Sequence, residues 1–185
     1  MRSPVPPATV TFRPTCPEDT PRLPAIERSA DGAFASIPEL AWLAGDDDVL
    51  PVERHLEFVA GGTSWVAVDA EGAPVAFLAA EQQDDVLHVW ELAVRLDLQG
   101  RGIGRALVPL AVAEARERRL RRVTLTTFLD VHWNEPFYRS LGFRRLDDHE
   151  ITDRLRRILA DEARQGLPLE RRCAMIHPLD EPGVR

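Results

Sequence analysis

Polar and apolar residues along this chain switch between a strand-like and a helix-like period. Val10-Thr11-Phe12-Arg13 alternates, which predicts a first β-strand. Cys16-Pro17-Glu18-Asp19 opens a predicted helix over about 18–30, with Leu23, Ile26 and Ala30 on one face. Ala33-Phe34 and Ile37 to Leu43 predict a second, broken helix, which the Gly45-Asp46-Asp47-Asp48 run ends. A further helix is predicted over 51–60. Trp65-Val66-Ala67-Val68 reads as a strand, Asp69-Ala70-Glu71-Gly72 as a turn, and Pro74 to Ala80 as the returning strand of a hairpin. Asp84-Asp85 separates this from a longer strand, Val86 to Val94.

A helix is predicted from about Gly102 to Arg118, with Ile103, Ala106, Leu107, Leu110 and Ala111 as its buried face. Pro109 lies inside it, where it removes a backbone bond. Arg122 to Thr127 reads as a strand. A short helix is predicted over Asn134 to Leu141, with Asn134 as N-cap, Pro136 in the first turn and Gly142 as the stop. Phe143 to Leu146 begins another strand. An Arg/Glu-rich helix over 151–165 presents Ile151, Leu155, Ile158 and Leu159 on one face, and Arg172 to His177 reads as a last strand. This order predicts a mixed α/β sheet with helices on both faces. No repeat and no linker interrupts it, so one domain is expected over 9–177. The Pro-rich segment 1–8 and the polar tail 178–185 are expected to be disordered.

One junction carries chemistry. The strand ending Leu92-Ala93-Val94 runs into Gln99-Gly100-Arg101-Gly102-Ile103-Gly104-Arg105, and a helix follows at once. Glycine lets the backbone turn tightly and bring its amides against a ligand. The first N–H groups of a helix lack intrahelical partners and lie at the positive end of its dipole. They suit a pyrophosphate, and Arg101 and Arg105 add charge there. A tight strand–helix connection would use the same glycines. A dinucleotide-binding fingerprint fits less well, because Asp97 and Gln99 separate the strand from the glycines and the motif sits mid-chain.

Gln99-x-x-Gly102-x-Gly104 after Leu-Ala-Val resembles the acetyl-CoA-binding motif of the GNAT acyltransferase superfamily. Phe137-Tyr138-Arg139-Ser140-Leu141-Gly142-Phe143 resembles its terminal motif. The likeness covers roughly 9–146, with the cofactor-binding core at about 86–146, and is weakest over 31–60. It implies a single GNAT-like α/β domain whose central strand carries a β-bulge and splays from its neighbour. It also implies acetyl-CoA as cosubstrate and direct transfer of the acetyl group to an amine in a ternary complex, without a metal. Gln99, Gly100, Arg101, Gly102, Gly104 and Arg105 would hold the pyrophosphate. The backbone at Leu92 and Val94 would pair with pantetheine, the Val94 N–H facing the thioester carbonyl. The Tyr138 hydroxyl would protonate the leaving thiolate; the alternative for this lone tyrosine is an aromatic core residue.

Acyl transfer to an amine also needs a base. Glu91 lies three residues before Val94, and family members often carry acids in this stretch. Its plainer use is a solvated strand carboxylate or an ion-pair partner. His88, six before Val94, competes, since some members place a catalytic Glu at that spacing. A hydrogen-bonded strand histidine is the other reading. The two have opposite parity, so a regular strand aims them at opposite faces. Two departures from the family pattern stand out. Leu96 replaces a common Pro, and Val131 occupies the position of an Asn that commonly bonds the cofactor. Asn134, nearby, is either a cofactor ligand or an N-cap. His132 and Trp133 border the acceptor or pack their loop. Glu27, Phe34 and Trp42 are candidates for lining the acceptor pocket.

Composition narrows the partners. The chain has 185 residues, a formal net charge of -7 and 44% apolar residues, as for one globular domain. A net negative charge argues against nucleic acid and suits a cationic amine. All 23 basic residues other than histidine are arginine. Cys16 and Cys173 fit no metal spacing and read as free thiols. No apolar run reaches the roughly 18 residues of a membrane span, and the start lacks a signal peptide's apolar core, so a cytoplasmic protein is expected. The C-terminal elements offer a surface for a homodimer without dictating one. The function expected is acetyl transfer to a small primary amine. The rivals are a protein or peptide amine as acceptor, a non-catalytic acyl-CoA sensor and a nucleotide-binding module.

Overall fold

A computed structural model describes residues 10–179. The strands are β1 (Thr11–Pro14), β2 (Ser64–Val68), β3 (Pro74–Gln83), β4 (Val86–Val94), β5 (Arg122–Phe128), β6 (Arg144–Arg145) and β7 (Arg172–Pro178). The α-helices are α1 (Leu23–Asp31), α2 (Val52–Ala60), α3 (Ile103–Glu117), α4 (Glu135–Arg139) and α5 (Asp153–Arg164). The strands form one mixed seven-stranded sheet in the order β1-β2-β3-β4-β5-β7-β6. The β4–β5 pair is parallel, matching Val86–Val89 with Arg122–Leu125, and β4 runs on to Val94. The β2–β3 register slips at Ala67/Val68, a bulge. The segment 1–8 lies outside the described residues. So does the tail from 180 onward. Pro178 still belongs to β7, and Leu179 is buried with its N–H on the Arg121 carbonyl at 3.0 Å. Both residues fall in the segment the sequence assigned to the tail.

The chain packs as two compact units. The first holds the described residues up to Ala80 together with Glu91–Ala111. Every residue of β2, and β3 as far as Ala80, is buried, which explains their nearly continuous apolar sequence. The helix predicted from residue 18 begins instead as a 3₁₀ turn, Pro17–Arg22, before α1 takes over. Pro21 inside that turn has no N–H to give an α-helical bond. Asp19 ties the entry down: its carboxylate accepts two bonds from Arg13, at 2.6 and 2.9 Å, and one from the Cys16 N–H at 2.8 Å. The predicted broken helix after α1 is two 3₁₀ segments, Gly32–Ser36 and Pro38–Gly45. Ile37 between them is extended, as a residue before proline must tend to be.

The second unit holds Glu81–Trp90 and the described residues from Val112 on. Here Leu155, Ile158 and Leu159 of α5 pack with Leu146 and Ala174, flanked by Trp90, Ile151 and Ile176. Thr152 caps α5 by accepting the Leu155 N–H at 3.3 Å. Arg172 and Glu162 form a largely buried ion pair at 2.9 Å, and the guanidinium covers the Phe128 ring. A pair this enclosed is costly to break, since either partner alone is an uncompensated charge.

The buried face of α3 differs from the prediction. Ile103, Leu107, Val108, Ala111, Val112 and Ala115 are buried, whereas Ala106 is exposed and Leu110 only half-buried. The stripe has turned toward the β-branched positions, which fill core space that Ala106 would leave empty. Pro109 sits on the exposed side, as does Arg105, the residue whose carbonyl loses its donor. An exposed carbonyl can turn to solvent, which lessens the cost of the proline there.

His55 of α2 is a misfit in the first unit. It is fully buried, edge-on to Phe58 and Phe77, and among the described residues neither ring nitrogen has a hydrogen-bond partner. Burial pushes its pKa down to about 4 from an ordinary 6.5. The unfolded chain therefore binds one more proton between those values, and stability is whole above pH 6.5 and lost as pH falls toward 4. We expect urea unfolding to show wild type losing stability relative to His55→Phe across that window, by up to ~1.4 kcal/mol per pH unit. A pH-independent difference would show that His55 does not titrate on unfolding.

Candidate functional site

The turn between β4 and α3 is built by backbone geometry. Gly100 and Gly102 have φ of +74° and +82°, where side-chain-bearing residues are strained. A Cβ at either would meet no atom within 4 Å, so glycine is required there by conformation and not by protein packing. The first helical bond of α3 is Ala106 N–H to Gly102 carbonyl at 3.1 Å. The N–H groups of Ile103 and Gly104 precede that bond, in the first turn, where an α-helix has no carbonyl four residues back to offer them. No acidic side chain lies in that first turn. Glycines in the left-handed region followed by a helix start are the backbone geometry that can accommodate an anion. Arg101 is exposed and donates to the Asp97 carbonyl at 3.1 Å, and Arg105 is also exposed.

Gln99 has a different occupation from the expected one. Its side-chain amide donates to the Val94 carbonyl at 3.0 Å and to the Ala30 carbonyl at 3.3 Å. Beside it, the Leu96 N–H donates to the Ser29 hydroxyl at 3.1 Å. The end of α1 is thus strapped to the segment leaving β4.

That strapping belongs to an acidic region in the first unit. Glu91, half-buried on β4, folds its carboxylate onto the Leu92 N–H at 3.0 Å. The Leu92 amide, expected to serve pantetheine, is therefore engaged by its neighbour. Glu27 of α1 is only 7% exposed, and both its oxygens share one donor, the Leu50 N–H, at 3.2 Å. Burial, reinforced by the negative charge of Glu91, pushes the Glu27 pKa well above the usual carboxylate range. Asp31 is pushed up to about 6 by burial and by Asp46. The sequence singled out Glu27 but not Asp31, and it marked Asp46 only as part of the run that ends the second helix. Phe34 is half-buried and Trp42 is exposed.

The second unit holds the other candidates. His88 is 1% exposed, with Nδ1 3.0 Å from the Thr124 hydroxyl and its ring edge-on to Trp90. Burial, and secondarily Arg154, pushes its pKa down to about 3. It is neutral near pH 7. Trp90 and Arg154 both donate to one Glu81 oxygen, at 3.1 and 3.0 Å. Tyr138, half-buried on α4, stacks edge-on with Phe137 and Phe143. Gly142, at φ +91°, ends this stretch, and a Cβ there would sit 3.1 Å from His177. Asn134 occupies the N-cap position, but its side chain makes no cap bond, against expectation; its carbonyl receives the Tyr138 N–H at 3.0 Å. Val131, at the family's usual Asn position, is buried. His132 is exposed, edge-on to the Trp133 ring.

A family model described as Acetyltransferase (GNAT) family matches residues 32–143. The chain belongs to that family. An 82-residue stretch is 33% identical to an uncharacterized N-acetyltransferase, MJ1207, of Methanocaldococcus jannaschii. The match covers 40% of this chain and 36% of that relative, so the chain spans about a third of the relative's length. The fold resembles a PaiA N-acetyltransferase from Thermoplasma acidophilum in complex with coenzyme A, at TM-score 0.65 and 16% identity over 92% of this chain and 99% of that one. It also resembles the ribosomal-protein-S18-alanine N-acetyltransferase of Escherichia coli, at TM-score 0.63 and 18% identity, covering 96% and 98% of the two chains. Among the described residues no helix is long and apolar enough to cross a membrane, and no group of three His, Cys, Asp or Glu is placed to hold a metal ion.

The buried Glu27 makes a pH signature. Unfolded, it loses its proton near the ordinary 4.5; folded, it keeps it to higher pH, so its contribution is whole below 4.5 and is lost as pH rises. Relative to Glu27→Gln, wild type should lose stability above pH 4.5, by up to ~1.4 kcal/mol per pH unit. The opposite slope in paired denaturation curves would mean that Glu27 is charged in the folded state.

Proposed function

We propose that this protein is an acetyl-CoA-dependent N-acetyltransferase acting on a small primary amine. The observation that carries the reading is the left-handed pair Gly100 and Gly102 at the start of α3, in a chain of the acetyltransferase family. On this reading the α3 amides, with Arg101 and Arg105, hold the pyrophosphate; acetyl-CoA, when bound, supplies an activated thioester. The Leu92 and Val94 backbone pairs with the pantetheine arm, and the Val94 N–H steadies the developing oxyanion. The Leu92 amide becomes available as the Glu91 carboxylate swings to the acceptor. Asn134 serves as a lesser cofactor contact.

Glu91, rather than His88, takes the proton of the acceptor ammonium. A neutral histidine with a pKa of about 3, buried and bonded to Thr124, is a poor base and is structural on this account. Glu27 is the second carboxyl of the acceptor side. Protonated, it spares Glu91 the repulsion of a second charge. An arriving ammonium would relieve the crowding of acids there, which favours a compact cationic acceptor. Tyr138 protonates the departing thiolate as general acid. A protein or peptide amine, as named for the E. coli relative, is the alternative acceptor.

The test is coenzyme A binding by calorimetry together with acetyl-CoA consumption across amines, amino acids, aminoglycosides and peptides. Gly102→Val should abolish coenzyme A binding in a folded protein, because it forces a branched side chain to φ +82° in the cradle. Wild-type affinity in that variant removes the cradle assignment. Glu91→Gln should lower kcat/KM across the pH profile while His88→Gln retains most activity, and Tyr138→Phe should lower kcat by roughly 10²–10⁴ with little change in coenzyme A affinity. An inactive His88→Gln beside a near-normal Glu91→Gln would reverse the assignment of the base.

A further inference from the structure

The Gln99 side chain stands where two functions meet within the first unit. Its amide has two N–H donors, and both are used on carbonyls. One is the Val94 carbonyl at the end of β4. The other belongs to Ala30, in the last turn of α1, whose carbonyl also accepts the N–H of the C-cap residue Gly32. The next residue along is Gly100, the first left-handed position of the anion-binding turn. Three residues before Ala30 lies Glu27, and one after it Asp31. The Leu96–Ser29 bond runs alongside. A side chain spent on two backbone carbonyls is not reaching for a phosphate.

We propose that Gln99 is a positioning residue that couples occupancy of the Gly100–Gly104 turn to the order of the α1 C-terminal segment carrying Glu27 and Asp31. The inference rests on the reading of that turn as the coenzyme A site. An anion gathered by the α3 amides restrains the turn. Gln99 is fixed with it, and its two bonds hold Val94 and Ala30 at set distances. The acceptor-side carboxylates are then presented in register with the Val94 amide only when the cosubstrate is in place. Such coupling is a free energy shared by the two segments, and couplings of this kind change an equilibrium about 5- to 150-fold. Local opening of a helix end is the equilibrium on which it acts.

The experiment is hydrogen exchange of the whole protein, read by mass spectrometry on peptides spanning 23–36 and 99–108, with and without saturating coenzyme A. Its affinity is measured by calorimetry on the same samples. In wild type, coenzyme A should slow exchange in both peptides, by about 5-fold or more in 23–36. In Gln99→Ala, protection of 99–108 should remain and protection of 23–36 should vanish. Gln99→Met, which keeps the bulk and removes both donors, should behave the same way and stands in if the alanine variant does not fold. A merely structural glutamine would raise exchange in 23–36 equally with and without coenzyme A. That outcome overturns the proposal. So does protection of 23–36 that persists in the variants, or wild-type protection confined to 99–108. Absence of coenzyme A binding to folded wild type overturns the functional reading itself and the coupling with it.

Discussion

Between the end of β4 at Val94 and the start of α3 at Ile103 the chain makes a 3₁₀ turn, Leu96–Leu98, and then passes through a left-handed backbone at Gly100 and Gly102. The constraint is conformational, since added Cβ atoms would meet nothing in the protein. Its consequences spread outward in both directions. Forward, it sets the first turn of α3, the positive end of the helix dipole. Backward, it places Gln99 where its amide can reach the Val94 and Ala30 carbonyls. The start of α3 and a strap on α1 thus follow from one turn.

Desolvation sorts the ionisable groups around β4. His88 and Glu91 lie three residues apart on the same strand, yet burial treats them oppositely. His88 enters a core with Thr124 and Trp90 and keeps its neutral form. Glu91 stays half-exposed with an amide at hand. The strongly buried carboxyl is instead Glu27, which holds its proton because a second charge beside Glu91 in a poorly solvated place is costly.

Local signals carried well into the structure. The hairpin strands on either side of Asp69–Gly72 and the long run Val86–Val94 follow their apolar patterns because many of their side chains are buried, whereas β1, mostly exposed, is held by its pairing with β2. The glycine turn was readable for the same reason: three glycines in five residues have few physical uses. Local rules failed where neighbours far along the chain decide. Asn134 carries a good capping side chain and makes no cap bond. The stripe of α3 turned away from Ala106. The broken helix after α1 became two 3₁₀ segments, although Ile37-Pro38 in the sequence already marked the break.

By itself the sequence determined the order of elements, the glycine turn before α3 and the likeness to the acetyltransferase family. Each is a short-range pattern whose physics acts within a few residues. It left open which group near β4 is fit to accept a proton at neutral pH. That depended on burial, and burial is a property of the packed molecule. The meeting of Glu27 with Glu91, of Asp31 with Asp46, and of Ala30 with Gln99 was likewise decided only by the tertiary structure. Those partners are separated in the chain by 64, 15 and 69 residues. At such distances no periodicity or spacing rule connects two side chains; only the fold brings them together.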